Sequence, residues 1–200
     1  MRKCRILGLC SIGACLLSAC SPRDFLTRRL ATELIANSST FKTPRQFWLR
    51  TGILSNKDYL SPEYLLMQHH GWISATNVPC PPQFGPLPCW DVMLTPSGVD
   101  AVRNFVTPEE RDKPAFNVLV AKRELLAVTG ISKQGNLAEV DFTWRWIPLN
   151  DFGSALYSSD LHYLSTAGFR FYDDGWHVMQ GVPRPAQSLD EALKNAEPAP

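Results

Sequence analysis

The chain has 200 residues, with 20 Lys and Arg against 19 Asp and Glu and a formal net charge of +1. This near balance excludes the basic surplus with which nucleic-acid-binding proteins meet phosphate, so no nucleic acid is expected as a partner. Hydrophobic residues make up 44% and aromatics 10%, enough apolar material for one large folded domain or two small ones.

The N-terminus is compositionally apart from the rest. Arg2, Lys3 and Arg5 form a positive patch, and the stretch 6–17 is apolar except for Gly8, Ser11 and Gly13. A helix needs about 20 apolar residues to cross the hydrocarbon core, so this stretch is too short to span and reads as a signal-peptide core. It ends in Leu17-Ser18-Ala19-Cys20. That sequence resembles the lipobox of bacterial lipoprotein precursors. The resemblance implies a signal peptide over 1–19, a diacylglyceryl group on the Cys20 thiol, cleavage before Cys20 by signal peptidase II, and acylation of the new amino terminus. Two or three acyl chains anchor a protein where one gives only marginal binding. Ser21 stands where aspartate would mark retention in the inner membrane, which favours the periplasmic face of an outer membrane if the organism has one. Without the leader's three basic residues, 17 Lys and Arg face 19 Asp and Glu.

Cysteine usage agrees with export. Cys4, Cys10 and Cys15 belong to the leader and Cys20 to the lipid, which leaves Cys80 and Cys89. An even pair in an oxidising compartment predicts a disulfide closing the proline-rich segment 81–88. The rival is a metal site completed by His69 and His70. Adjacent helical residues point about 100° apart and cannot face one ion as an i, i+4 pair does, so the disulfide is preferred and no metal or cofactor is expected.

In the first half, Ser or Thr precedes Pro at Ser21-Pro22, Thr43-Pro44, Ser61-Pro62, Thr95-Pro96 and Thr107-Pro108. A hydroxyl at the N-cap satisfies an orphan amide, and proline suits the first helical position because its missing N–H has no helical partner. Gln46 and Glu110 stand three residues after their Thr, as a capping box requires. Helices are therefore expected over 22–37 (with Leu26, Leu30, Leu34 and Ile35 as an apolar stripe), 44–50, 62–70 and 96–105. Gly71 is the expected stop of the third. Residues 90–94 are strand-like. A helix ending at Gly71-Trp72-Ile73, two extended arms, and Leu94-Thr95-Pro96-Ser97-Gly98 opening another helix together resemble the wing region of winged-helix proteins over 60–105. In an exported, acidic chain that resemblance implies architecture and protein interaction, not DNA reading.

The second half changes period. Ala138, Val140, Phe142, Trp144 and Trp146 alternate with Glu139, Asp141, Thr143 and Arg145, a strand with one buried and one wet face. Residues 122–131 form a second strand. Two more flank Asp173-Asp174-Gly175, read as a hairpin turn, with 148–167 as a long connection. In pattern alone the strands resemble cystatin-like or NTF2-like sheets, whose concave face can hold a small molecule. Ser188-Leu189-Asp190-Glu191 begins a short final helix.

The expected fold class is therefore α+β: a mainly helical region over 20–115 with the Cys80–Cys89 loop, a four-stranded antiparallel region over 116–187, and a short helix and tail over 188–200. The chain has no Gly-x-Ser-x-Gly elbow, His-Glu-x-x-His, phosphate loop or dinucleotide fingerprint. Asp160 and His162 with Ser158 and Ser159, the Asp173–Asp174 pair, and His177 are each more simply loop, turn and surface groups, and no catalytic residue is assigned. Trp48, Trp72, Phe84, Leu87 and Trp90 border loops or the cysteine segment and are the expected interaction surface. The reading is a membrane-anchored envelope lipoprotein acting as a non-catalytic interaction or structural module with an envelope protein partner. Its alternatives are a small-ligand carrier using the concave sheet, or an envelope hydrolase.

Overall fold

The computed structural model describes residues 25–84, 88–103, 106, 115–180 and 188–198. The chain enters through α1 (Arg28–Asn37), whose N-cap Thr27 accepts a hydrogen bond from the Leu30 amide. Ala31 and Ile35, one turn apart, are its fully buried face. Ser38 then serves two helices. Its amide bonds the Ile35 carbonyl at the end of α1, and its hydroxyl oxygen caps α2 (Ser39–Lys42) by accepting from the Phe41 amide.

The helix expected over 44–50 is instead strand β1 (Arg45–Arg50), paired antiparallel with β5 (Ala115–Gln134). The Thr43 hydroxyl donates to the Ser39 carbonyl at 2.8 Å, closing α2 rather than capping a new helix. Alternation settles the rest: Phe47 and Leu49 turn inward while Gln46 and Trp48 face out, a period of two that a waiting partner strand can use.

After β1 the chain builds a smaller sheet. Strand β2 (Gly52–Ser55), helices α3 (Asn56–Tyr59) and α4 (Pro62–His69), the hairpin β3 (Ile73–Val78) and β4 (Cys89–Leu94), and helix α5 (Pro96–Val102) follow in turn. The strand order is β2-β4-β3. Helix α4 begins at the expected proline and stops at Gly71, whose φ of +69° is left-handed. The Trp72 amide bonds the Met67 carbonyl and the Gly71 amide that of Gln68, so the stop is a Schellman motif. The Leu94-Thr95-Pro96-Ser97-Gly98 turn docks on this stop. Thr95 donates through its hydroxyl to the Gly71 carbonyl at 2.7 Å and caps α5 by accepting from the Gly98 amide. A Cβ on Gly98 would stand 1.9 Å from the Trp72 carbonyl oxygen, so this approach of helix to backbone admits no side chain.

The larger sheet is organised by β5, which runs well beyond the expected 122–131. Its first part pairs with β1 and its later part with β6 (Leu137–Pro148); Ala121 is the crossing point, opposite both Arg45 and Pro148. Register shifts at Leu125/Ala127 and Val128/Gly130 are bulges, which bend and twist so long a strand. The order is β1-β5-β6-β7-β8, with β7 (His162–Tyr172), β8 (Gly175–Val178) and a short β9 (Glu197–Pro198) also on β7. The long connection expected over 148–167 is mostly structured, as helix α6 (Asp151–Leu156) and the first half of β7. The β7–β8 turn is Asp173-Asp174, with Gly175 already pairing as the first residue of β8. Helix α7 (Leu189–Lys194) starts on a capping box between Ser188 and Glu191.

The fold class expected from the sequence is thus corrected. Among the described residues the chain is α+β but rich in strand, with a six-stranded and a three-stranded antiparallel sheet. Its helices are short and scattered, not a helical N-terminal half before a four-stranded sheet. Ser61-Pro62 and Thr95-Pro96 open α4 and α5 as expected; Thr43-Pro44 instead precedes a strand, and the segments between the helices pair as strands with partners the local signal does not reveal.

Two cores result. The first joins Phe142, Trp144 and Trp146 of β6, Phe169 of β7 and Trp176 of β8 to Ile35 of α1 and Leu189 and Leu193 of α7. The second joins Leu49, Leu54, Tyr59, Tyr64, Met67, Ile73 and Val92 to Phe116, Val118 and Val120 of β5 and Phe152 of α6.

Candidate interaction surface and a cationic cleft

Cys80 and Cys89 form the expected disulfide, with Cα atoms 5.0 Å apart. Cys89 is buried at the start of β4, between Ser55 and Val78, so the bridge pins the loop end of the β3–β4 hairpin. With both thiols consumed, they are not available to ligate a metal beside His69 and His70. Among the described residues, no group of three or more His, Cys, Asp or Glu is placed to hold one. His70 stacks on Trp72 instead, ring centroids 4.5 Å apart.

The aromatic residues singled out in the sequence are not gathered on one surface. Trp48 projects outward from β1 opposite Asn117 and is 52% exposed. Phe84 ends a single 3-10 turn at 36% exposure. Trp90 is half-buried and committed: its ring stacks on Tyr59 at 4.6 Å and its indole N–H donates to Asn56 Oδ1 at 3.0 Å. Trp72 is held between His70 and the edge of Phe152. Leu87, Cys20 and the leader over 1–19 lie outside the described residues. The outer face of the small sheet adds Ile53 and Met93, both exposed and in phase across β2 and β4. Strand β2 is too short for its alternation to stand out in the sequence.

The other feature of note is a cleft of about 470 Å3 between the end of α2, the start of β1, β5 and α7, lined among others by Ser39, Thr40, Arg45, Arg123 and Asp190. Arg123 takes an inward position on β5 in phase with Ala121 and Leu125, and opposite Trp146. Its guanidinium carbon lies 4.7 Å from the Trp146 ring centroid and 5.6 Å from that of Trp144, and Nη1 donates to the Thr40 and Thr43 carbonyls. The buried Nε has no hydrogen-bond partner among the described residues. Arg45 is exposed and donates through Nε to the Tyr157 hydroxyl at 3.2 Å. Burial first, then the neighbouring Arg45 charge, pulls Arg123 below its ordinary value, against the opposing effects of Asp190 and Tyr157. Among the described residues no carboxylate lies within ion-pair distance of either arginine, and Asp190 is paired with Lys194 at 2.9 Å.

Sequence reasoning passed over Arg45, Arg123 and Tyr157. The legible signal was a charged residue at an apolar phase of a strand, visible only once the strand is known to begin before residue 122. Ser158, Ser159 and Asp160 lie in an ordinary turn, with the Asp160 amide bonding the Ser158 hydroxyl, and His162 opens β7. His177 pairs with Asp174 on the surface, Nε2 to Oδ1 at 2.9 Å. No helix among the described residues is long and apolar enough to cross a membrane. No protein-family model, curated protein or solved structure matches the chain, so its site is read from its own residues alone.

Proposed function

We propose that the chain is a bacterial envelope lipoprotein, anchored through lipid on Cys20, whose folded part is a non-catalytic interaction module. The observation that carries this reading is the order at the N-terminus: Arg2, Lys3 and Arg5, the apolar run 6–17, then Leu17-Ser18-Ala19-Cys20, ahead of a fold stapled by Cys80–Cys89. A disulfide in the folded part supports an oxidising compartment.

The carrier alternative loses ground. A carrier needs an empty concave face, whereas α1 and α7 close the large sheet over Phe142, Trp144, Phe169 and Trp176. An interaction module needs only a presented surface, and Trp48 with the Ile53–Met93 face offers apolar groups in water.

The test is metabolic labelling with a fatty acid in a bacterium that processes lipoproteins. The wild-type chain should incorporate label and sediment with membranes, and Cys20→Ala should do neither. Unchanged labelling of Cys20→Ala would remove the anchor from the reading. A photo-crosslinker placed at Trp48 should then give a discrete protein adduct in intact cells, which a crosslinker at Glu139 on the wet face of β6 should not.

A further inference from the structure

We infer that the cleft between α2, β1, β5 and α7 binds a phosphate group, with Arg45 and Arg123 as its two cationic ligands. The inference does not depend on the lipid anchor and stands or falls separately from it.

The cleft carries a surplus of positive charge. A guanidinium has five N–H donors and loses strong hydration when buried. Arg123 recovers part of that loss from the Thr40 and Thr43 carbonyls and from the faces of Trp144 and Trp146. Those contacts explain why the side chain lies here. They do not explain why the sheet interior carries a cation with a second arginine lining the same cleft and, among the described residues, no carboxylate paired to either.

Asp190 does not close the account. It lines the cleft, but its carboxylate is held by Lys194 Nζ, so the four charged groups together leave a positive surplus. The rest of the lining includes two hydroxyl residues that could serve an anion, Ser39, whose hydroxyl donates to Gln180 Oε1 at 3.2 Å, and Thr40.

The ligand chemistry follows from the donor count. A lone carboxylate offers two oxygens and one charge, which one guanidinium fork satisfies. Two guanidinium charges in one cleft, each with part of its donor set already given to the protein, with hydroxyls beside them, call for about two negative charges, as a phosphate monoester or inorganic phosphate carries near neutral pH. The cleft is open on the Arg45 side, where that side chain is exposed, so the phosphate need not be a free ion. A headgroup or a phosphorylated small molecule would present the same oxygens.

The experiment is a calorimetric titration of the full chain in detergent with inorganic phosphate, at constant ionic strength set by chloride. A parallel titration with a water-soluble short-chain phosphatidic acid separates a free anion from a lipid headgroup. Saturable one-site binding of either is expected. Arg45→Gln should weaken it about tenfold, the loss of one charge-assisted interaction. Because Arg45 repels Arg123, the same variant should melt no lower than wild type when no phosphate is added. Asp190→Asn removes the opposing carboxylate and should tighten binding severalfold. Arg123→Gln also loses the Thr40 and Thr43 contacts and is therefore the less useful variant. Failure of both ligands to bind, or equal affinity in wild type and Arg45→Gln, overturns the assignment, as does weaker binding by Asp190→Asn.

Discussion

The two cores are stabilised in different ways. Around β6 the larger one is made of big apolar side chains on long strands, and its main internal polar link is a closed relay. Trp144 Nε1 donates to Ser165 Oγ at 3.0 Å, and Ser165 donates to the Ala192 carbonyl at 2.9 Å, tying β6, β7 and α7 together. The smaller core is assembled from short elements that bury less, and it adds local ties. Tyr64 Oη accepts from the Arg50 amide and donates to the Arg50 carbonyl, Tyr59 donates to Gln68, Trp90 donates to Asn56, and Cys80–Cys89 closes the hairpin. Apolar burial grows with strand length and side-chain size, whereas a four-residue strand must be held by what surrounds it. Strand β5 belongs to both, so neither core is free of the other.

The sharpest way to break this contrast is Trp144→Ala. Trp144 is 2% exposed and stacks on Tyr163 at 4.7 Å, so truncation empties the middle of the larger core and removes the partner of Ser165. A loss of about 3–5 kcal/mol is expected in denaturant unfolding. Amide exchange should rise first along β6, β7 and α7. Equal early exchange in β2, β3 and β4 would mean that the cores are one unit.

Reducing the Cys80–Cys89 bridge probes the smaller core and should cost about 2–3 kcal/mol on the chain-entropy estimate. Its effect on exchange should be confined to β2–β4 and α5. Protection lost across the larger sheet instead would show that the staple supports the whole molecule.

The smallest effect belongs to Asp58. Burial alone would raise its carboxyl, but hydrogen bonds from Arg50 and Ser55 and the charges of Arg50 and Lys57 outweigh it, leaving the group below its ordinary value of 3.8. The salt bridge Arg50 Nη2–Asp58 Oδ2, 2.9 Å long, is partly exposed and is worth less than about 1 kcal/mol. A depressed carboxyl stabilises the fold fully above the unfolded-state value and loses that contribution as pH falls through the lower folded-state value. The difference in unfolding midpoint between wild type and Asp58→Asn should therefore be constant at neutral pH and shrink below 3.8. A difference that survived acid would assign the effect to packing rather than charge.

Legibility in the sequence follows the same division. The alternation from Ala138 to Trp146 is long enough to specify both a strand and its buried face, and the structure buries all five alternating residues. The disulfide, the Gly71 stop and the start of the last helix at Ser188 were equally plain, since each depends on residues close in the chain. Strand β1 was not legible. Its six residues suit a helix until β5 stands beside them, and that partner lies about seventy residues away. The cleft was hidden for the same reason. Arg45, Arg123 and Asp190 come from three elements far apart in sequence, and no local pattern brings them together.

By itself, then, the sequence determined the leader resemblance, the absence of a basic surplus, the β6 face and the covalent staple. Those rest on composition, on the two-residue period, and on spacing that no distant contact can alter. Tertiary structure alone decided that β1 is a strand, that β5 serves two cores, and that Arg45 and Arg123 share a cleft. Each of these depends on pairing energies that exist only once remote segments have met, and on a buried charge that only the assembled sheet can create.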